Sequence, residues 1–220
     1  MQTMRYELVI FDLDGTLVDT IEDLGTAVNH ALAQKNLPPH EIPEYRLMVG
    51  NGIGKLVKRA MPGPLQEDAG LFGELLDSFV TYYSSHLDVH SRPYPGMTGL
   101  LARLSAAGMK LAVASNKFQA GAETIVGRFF PGVDFCAVLG GRDGAPLKPD
   151  PEVVREILDK AGVLREKAVM VGDSATDMLT AKAADICGIA VSWGFRPQEA
   201  AAECSFRADT AEELEKLLLG

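Results

Sequence analysis

Cysteine, tryptophan and long apolar runs are all scarce in this chain of 220 residues. It has three cysteines, an odd number without C-x-x-C spacing, and one tryptophan. Because a disulfide framework needs paired cysteines, we expect a reduced, cytoplasmic protein. No stretch of about 18 apolar residues occurs, so the sequence predicts no membrane-spanning helix and no membrane partner.

Positive charge is also in short supply. Lys and Arg number 21 against 30 Asp and Glu, which gives a net charge of −9. Proteins that bind nucleic acid need clustered cations to neutralise the phosphate backbone, so we predict no nucleic-acid partner. A small phosphate can still bind if a metal ion or a few local cations reverse the field at its site.

Hydrophobic periodicity divides the chain into a helical segment and an alternating segment. The apolar run at 7–11 predicts a buried strand, and helical spacing dominates from 18 to 90. After a stiff linker at 92–96, short apolar strands alternate with helices. This alternation predicts an α/β fold, with a Rossmann-like, mostly parallel sheet flanked by helices. The predicted core domain is 1–17 with 92–220, and the inserted small α-helical domain is 18–91.

Polar side chains cluster where the predicted strands end. Asp12 and Asp14 follow the first strand two residues apart, so the period of an extended chain puts both on one side. Ser115 follows the next strand, which is predicted at 111–114. Because ligands bind beyond the carboxyl ends of parallel strands, we expect these groups to converge. The other members of the predicted cluster are Asn116, Lys148, Asp173 and Asp177.

Several carboxylates at one edge of a sheet would repel each other unless a cation held them. Oxygen ligands in an open site suit Mg²⁺, and a metal that bridges carboxylate and phosphate would offset the charge of a phosphorylated substrate. Lys148 would add a point charge, and Ser115 and Asn116 could hold phosphoryl oxygens. Taken singly, an Asp at a strand end is more often a helix cap or turn former. The joint arrangement favours a site.

Four short motifs resemble the signatures of the haloacid dehalogenase superfamily and occur in the same order. They are FDLDGTL at 11–17, SNK at 115–117, KPDP at 148–151 and VGDSATD at 171–177. The resemblance spans nearly the whole chain and implies that the helical insertion is a small cap domain over the site. The nearest subfamily resemblance is to phosphoglycolate phosphatases, on softer motifs at 17–20, 49–52 and 139–141.

The resemblance implies a role for each aspartate of the first motif. Asp12 would attack phosphorus and form an aspartyl-phosphate. Asp14 would protonate the leaving oxygen and later activate water. Since true dehalogenases lack this second acidic residue, Asp14 argues against dehalogenation. Ser115 and Lys148 would hold the phosphoryl group, and the implied substrate-binding residues nearby are Thr16 and Asn116.

The same resemblance implies a Mg²⁺ site. Its ligands would be Asp12, the backbone carbonyl of Asp14 and Asp173. Asp177 would support that shell and orient Lys148.

A Gly-rich turn at 50–55 is the candidate for substrate selection. Gly52 permits close backbone approach, and Lys55 could pair with a substrate carboxylate. An ordinary turn between helices is an equal alternative. The turn is not a P-loop, because Leu56 stands where that motif needs Ser or Thr.

The resemblance implies a Mg²⁺-dependent phosphatase that acts on a small phosphorylated metabolite, as phosphoglycolate phosphatases do, in a monomer or homodimer. A phosphomutase of the β-phosphoglucomutase type is an alternative that Thr16 disfavours. Pyrophosphatases and phosphatases of sugar phosphates or nucleotides also remain open. A non-catalytic binding module is a further class, although such proteins usually lose one of the four motifs.

Overall fold

The computed structural model describes residues 6–220, so the first five residues of the predicted core domain lie outside the described part of the chain. The strands in this part are β1 Leu8–Phe11, β2 Val18–Asp19, β3 Arg92–Pro93, β4 Lys110–Phe118, β5 Phe135–Gly141, β6 Ala168–Gly172, β7 Cys187–Val191 and β8 Phe206–Ala208. Six of them form one parallel sheet, in the order β5-β4-β1-β6-β7-β8.

Helices flank the sheet on both faces. One face of the sheet packs in a core that includes the helices Met97–Ala106 and Ala211–Leu219, and the other in a core that includes the helices Glu152–Ala161 and Ala175–Ala183. The prediction of an α/β fold with a mostly parallel sheet is therefore confirmed. The helices are α1 Ile21–Ala33, α2 Ile53–Ala60, α3 Ala69–Ser84, α4 Met97–Ala106, α5 Gln119–Phe129, α6 Glu152–Ala161, α7 Ala175–Ala183, α8 Pro197–Glu203 and α9 Ala211–Leu219.

Strand β1 lies at the centre of the sheet. All four of its residues are fully buried, because Leu8 and Ile10 face one core while Val9 and Phe11 face the other. A continuous apolar run is what a central parallel strand requires, since both of its faces are covered. The carboxyl end of β1 is thereby held between those of β4 and β6.

Helices α1, α2 and α3 lie in the chain between β2 and β3. The buried face of α1 includes Leu24 and Val28, and that of α3 includes Leu75, Phe79 and Tyr83. These side chains share one apolar cluster with the sheet face that carries Val9 and Phe11. The helical segment is therefore packed continuously with the sheet.

Several elements differ from the sequence prediction. The segment predicted as helical from residue 18 begins instead with β2, which pairs antiparallel with β3 in a short ribbon. Strand β4 runs on to Phe118, four residues past its predicted end. The sequence reading also missed α8 and the edge strand β8. Within residues 6–220, no helix is long and apolar enough to cross a lipid bilayer.

Candidate active site

The turn after β1 brings its two aspartates to the edge of the sheet. The Asp12 N–H donates to the carbonyl of Val171 on β6 (2.9 Å), which extends the pairing one residue past the strand. The chain then turns sharply at Gly15, whose φ is +91°. A Cβ at this position would lie 2.5 Å from Oδ2 of Asp173. Glycine is therefore required here for both conformation and space.

Lys148 is buried between two carboxylates. Its Nζ lies 2.8 Å from Oδ1 of Asp12 and 2.7 Å from Oδ1 of Asp177, and it donates to the carbonyl of Ala114 (2.7 Å). Burial alone would lower the pKa of Lys148, but the two carboxylates raise it above its ordinary value. Its side chain is therefore a fixed cation beside Asp12.

Asp12 combines a buried position with close neighbours of both signs. Burial raises its pKa well above the ordinary value, as do the carboxylates of Asp177 and Asp173, while Lys148 acts in the opposite direction. The backbone N–H of Leu13 (2.7 Å) and the Lys148 ammonium both contact Oδ1. These contacts fix the orientation of the Asp12 carboxylate.

Asp173 extends the acidic group from the end of β6. Its carboxylate accepts hydrogen bonds from the Thr16 hydroxyl (3.2 Å) and the Phe195 N–H (2.6 Å). Burial and the neighbouring Asp177 raise the pKa of Asp173 to about 7, in spite of these two donors. The carboxylate is therefore short of positive charge.

Three carboxylates, those of Asp12, Asp173 and Asp177, offer oxygen atoms that all lie within 4.8 Å of one another. We call these three residues the carboxylate cluster. Hard oxygen donors with one adjacent cation suit a hard divalent ion such as Mg²⁺ or Ca²⁺, and they do not suit a thiolate-seeking metal. The residues present thus fit the metal that the sequence predicts.

Asp177 has its second oxygen occupied within the fold. Its Oδ2 accepts from the backbone N–H (3.1 Å) and the hydroxyl (2.6 Å) of Ser174, which together form a capping box at the start of α7. Asp177 therefore joins three tasks: it caps a helix, holds Lys148 and belongs to the carboxylate cluster.

Asn116 connects β4 to two loops. Its amide nitrogen donates to the carbonyls of Gly50 (2.9 Å) and Lys148 (3.0 Å), and its Oδ1 accepts from the Lys148 N–H (2.8 Å). Its side chain thus ties the loop before α2 to the loop before α6. Ser115, next to it, accepts a hydrogen bond from the Lys117 N–H through its Oγ (3.1 Å).

A second ion pair lies around Asp14. The Asp14 carboxylate accepts from the Thr20 hydroxyl (2.7 Å) and from the buried ammonium of Lys117 (3.1 Å). The same ammonium donates to the hydroxyl of Tyr83 on α3 (2.5 Å). Burial acts to lower the pKa of Lys117, but Asp14 and Tyr83 raise it above the ordinary value.

These groups meet in one cavity between the sheet edge and the helical segment, which we call the main cavity. Its empty volume, open mouth included, is about 460 Å³. Its charged lining residues are Asp12, Asp14, Lys117 and Lys148. Its apolar lining residues, all from the helical segment, are Leu24, Val49, Ile53 and Leu56.

The sequence-predicted residues divide into those that line the main cavity and those that do not. Ser115, Asn116 and Gly52 line it together with Asp12, Asp14 and Lys148. Thr16 is fully buried and bonded to Asp173. Lys55 is exposed on α2 and is not among the lining residues.

The sequence reading assigned no role to Lys117 or Tyr83. A signal for Lys117 was present, because period-two alternation along an extended β4 puts residue 117 on the same side as Ser115. The sequence prediction ended the strand at 114, so the alternation was not extended to residue 117. No sequence signal marked Tyr83, because it fits the pattern of apolar residues on the buried face of α3.

Comparison with known proteins identifies related enzymes. Residues 9–191 match the family described as haloacid dehalogenase-like hydrolase. The phosphoglycolate phosphatase of Mesorhizobium japonicum is 36% identical over 222 residues, covering 98% of each chain. A solved protein of Lactobacillus delbrueckii subsp. bulgaricus, provisionally named phosphoglycolate phosphatase, has a TM-score of 0.90 and 33% identity, covering 99% of this chain and 100% of that one. CbbY of Rhodobacter sphaeroides, solved with phosphate, has a TM-score of 0.75 and 26% identity, covering 95% and 96%.

Proposed function

Since the chain belongs to the haloacid dehalogenase-like hydrolases and is a phosphatase of phosphoric monoesters, we propose that it hydrolyses its substrate through an aspartyl-phosphate on Asp12. The observation that carries this proposal is the position of Asp12 in the main cavity, with its Oδ1 held by Leu13 and Lys148. This arrangement leaves Oδ2 to act as the nucleophile. A carboxylate fixed beside a buried cation is suited to attack an anionic phosphoryl group, because the cation offsets the approaching charge.

Asp14 supplies the proton transfers in this proposal. When Oδ2 of Asp12 bonds to phosphorus, the bond from phosphorus to the ester oxygen breaks, and Asp14 gives its proton to that oxygen. A water molecule then attacks phosphorus and returns a proton to Asp14. The bond from Asp12 to phosphorus breaks, and inorganic phosphate leaves with the Asp12 carboxylate regenerated.

Magnesium is the metal that we assign to the carboxylate cluster. Asp12 and Asp173 would hold it, with the Asp14 backbone carbonyl as a further oxygen ligand and Asp177 as support. When bound, Mg²⁺ would neutralise carboxylate and phosphoryl charge. The raised pKa of Asp173 supports a cation here, because within the described part of the chain Lys148 is the one cation that contacts these three buried carboxylates.

The segment 18–91 would act as the cap, and 1–17 with 92–220 as the core domain. Two hydrogen bonds between the segments support these roles. The carbonyl of Gly50 accepts from the Asn116 amide on β4, and the amide of Asn51 donates to the Thr176 hydroxyl on α7 (3.3 Å). Both join the loop before α2 to the rim of the main cavity. Closing this loop would exclude water from the reacting groups.

The substrate would be a small phosphorylated metabolite, and 2-phosphoglycolate is the candidate that we favour. Two relatives that are named after that phosphatase, one of them provisionally, align with this chain over nearly their whole length. The apolar lining contributed by the helical segment adds physical support, because it would leave the hydroxyl groups of a sugar or nucleoside without partners.

The test is release of inorganic phosphate from 2-phosphoglycolate, sugar phosphates, nucleotides and pyrophosphate, with MgCl₂ and with EDTA. We expect Mg²⁺-dependent release, and a fall in kcat of at least about 1,000-fold in Asp12→Asn. Asp134→Asn is the matched control, since this exposed aspartate precedes β5 at the opposite edge of the sheet. Full activity in Asp12→Asn would refute the nucleophile, and transfer of phosphate to a second position on a sugar would favour the phosphomutase.

A further inference from the structure

The main cavity contains a second buried ammonium, that of Lys117, to which the steps proposed above assign no contact with the substrate. Lys117 is 4% exposed and lines the cavity from the end of β4. Its Nζ contacts both oxygens of Asp14 (3.1 and 3.4 Å), donates to the Tyr83 hydroxyl (2.5 Å) and lies 4.6 Å from the centre of the Tyr83 ring. Burying a cation is costly unless it is paired, and Asp14 and Tyr83 hold this one at the lining of the cavity.

The two buried ammonium groups differ in how many donors they have left. An ammonium has three N–H donors. Lys148 directs its donors at three protein partners, which are Asp12, Asp177 and the carbonyl of Ala114. Lys117 has two such partners, Asp14, which it contacts through both carboxylate oxygens, and Tyr83. Because the two Asp14 oxygens belong to one carboxylate, a single N–H directed between them serves both contacts, and the third donor of Lys117 is left for a ligand in the main cavity.

One part of the cavity lining is apolar. Leu24, Ile53 and Leu56 line it from the helical segment, and Lys55 is exposed outside it. Among residues 6–220, a ligand anion facing this part of the lining would find no cation there. Within the main cavity, its partner would be Lys117, on the core side.

We propose that Lys117 binds the carboxylate of the substrate, with Tyr83 as the positioning residue that holds its ammonium toward the cavity. The substrate class is then a short phosphorylated carboxylic acid with its two anionic ends divided between Lys148 and Lys117. This inference rests on the proposed phosphatase function and adds the group that selects the substrate. It also moves substrate selection from the predicted Lys55 to a residue on β4.

The position of Tyr83 explains how the cap would take part in selection without a charge of its own. Its hydroxyl is fully buried, and burial raises the pKa of Tyr83 above the ordinary value, so the hydroxyl stays neutral. It accepts one N–H of Lys117 and thereby limits the directions of the remaining donors. Removing the hydroxyl would free the ammonium to rotate toward Asp14.

The test compares two substrates of nearly equal shape, 2-phosphoglycolate and its neutral amide, 2-phosphoglycolamide. In the wild-type enzyme we expect kcat/KM to favour the carboxylate. In Lys117→Met the preference should fall by about 10- to 100-fold, as for loss of a hydrogen bond to a charged group. Tyr83→Phe should lower the preference by a smaller factor, mainly through KM for the carboxylate. Lys55→Met, the matched control, should leave the preference unchanged.

Several outcomes would overturn the inference. Equal losses on both substrates in Lys117→Met would mean that Lys117 acts only through Asp14, and a lost preference in Lys55→Met would return selection to the turn before α2. A wild-type enzyme that hydrolyses both substrates equally would refute the carboxylate site while leaving the phosphatase intact. Failure to hydrolyse any phosphomonoester would instead refute the proposed function. Circular dichroism checks that each variant is folded, and Tyr83→Phe provides the test if Lys117→Met does not fold.

Discussion

Replacing Lys148 by methionine removes a buried cation that contacts two members of the carboxylate cluster, Asp12 and Asp177. At an effective dielectric constant of about 20, each contact of 2.7–2.8 Å corresponds to about 6 kcal/mol of attraction. Most of this is offset in the native protein by the cost of burying three charged groups. Removing one charged partner from such a buried network typically lowers the free energy of unfolding by about 3–5 kcal/mol, because the charges of the remaining partners are then uncompensated.

The expected consequence is a Tm that falls by roughly 6–20 °C in Lys148→Met, since 1 kcal/mol corresponds to about 2–4 °C for a chain of this size. The metal dependence follows from the charges. Asp12, Asp173 and Asp177 carry −3 when ionised, and Lys148 reduces this to −2. Without Lys148, a divalent ion gains more on binding, so MgCl₂ should raise the Tm of the variant more than that of the wild type.

Thermal unfolding followed by circular dichroism, in EDTA and in saturating MgCl₂, measures both effects. Lys182→Met is the control, because the Lys182 side chain is 74% exposed and its ammonium lies 3.7 Å from Glu203; it should change the free energy of unfolding by less than about 0.5 kcal/mol. A Lys148→Met variant as stable in EDTA as this control would refute the reasoning. So would a larger Mg²⁺ effect in the wild type.

Three further substitutions test contacts around the site. Gly50→Ala should lower the free energy of unfolding by about 1–3 kcal/mol, because φ at this position is +107° and a Cβ would lie 2.2 Å from the Arg196 guanidinium. In a double-mutant cycle, adding Arg196→Ala should restore only the part of this loss that comes from the clash. Asp23→Asn should cost about 2–3 kcal/mol in urea unfolding, since the buried carboxylate accepts from three donors after α3. Trp193→Phe should cost about 1 kcal/mol by losing the 3.0 Å hydrogen bond to the Thr16 carbonyl, and an unchanged midpoint would contradict this.

The sequence was sufficient for the longer strands of the sheet and for the residues at their carboxyl ends, because both depend on local periodicity. The run at 8–11 can only be a strand buried on both faces, and the aspartates that follow it must then stand at the edge of the sheet. The motif with Asp173 and Asp177 lies at the end of an equally apolar run. Elements too short for periodicity escaped prediction: β2 and β3 have two residues each, and β8 has three.

Contacts between distant parts of the chain could not be predicted from local pattern. The amide of Asn116 donates a hydrogen bond to the carbonyl of Gly50, 66 positions away, and no local sequence pattern links the two segments. The same holds for the hydrogen bond from Lys117 to Tyr83. Lys55 was predicted as a candidate to pair with a substrate carboxylate because it lies in a Gly-rich turn. Lys117 differs from Lys55 in being buried at the main cavity, and this burial depends on tertiary packing that the local sequence does not show.

The central position of β1 has a consequence for how the protein is made. Leu8 pairs with Lys110 on one side and with Ala168 on the other, so both partner strands are synthesised more than 100 residues later. At about 5–20 residues per second, the first partner follows after roughly 5–20 s. Ribosome-bound chains that end before and after β4 would reveal when β1 becomes protected. Until then both edges of this apolar strand are unpaired and open to pairing with other chains.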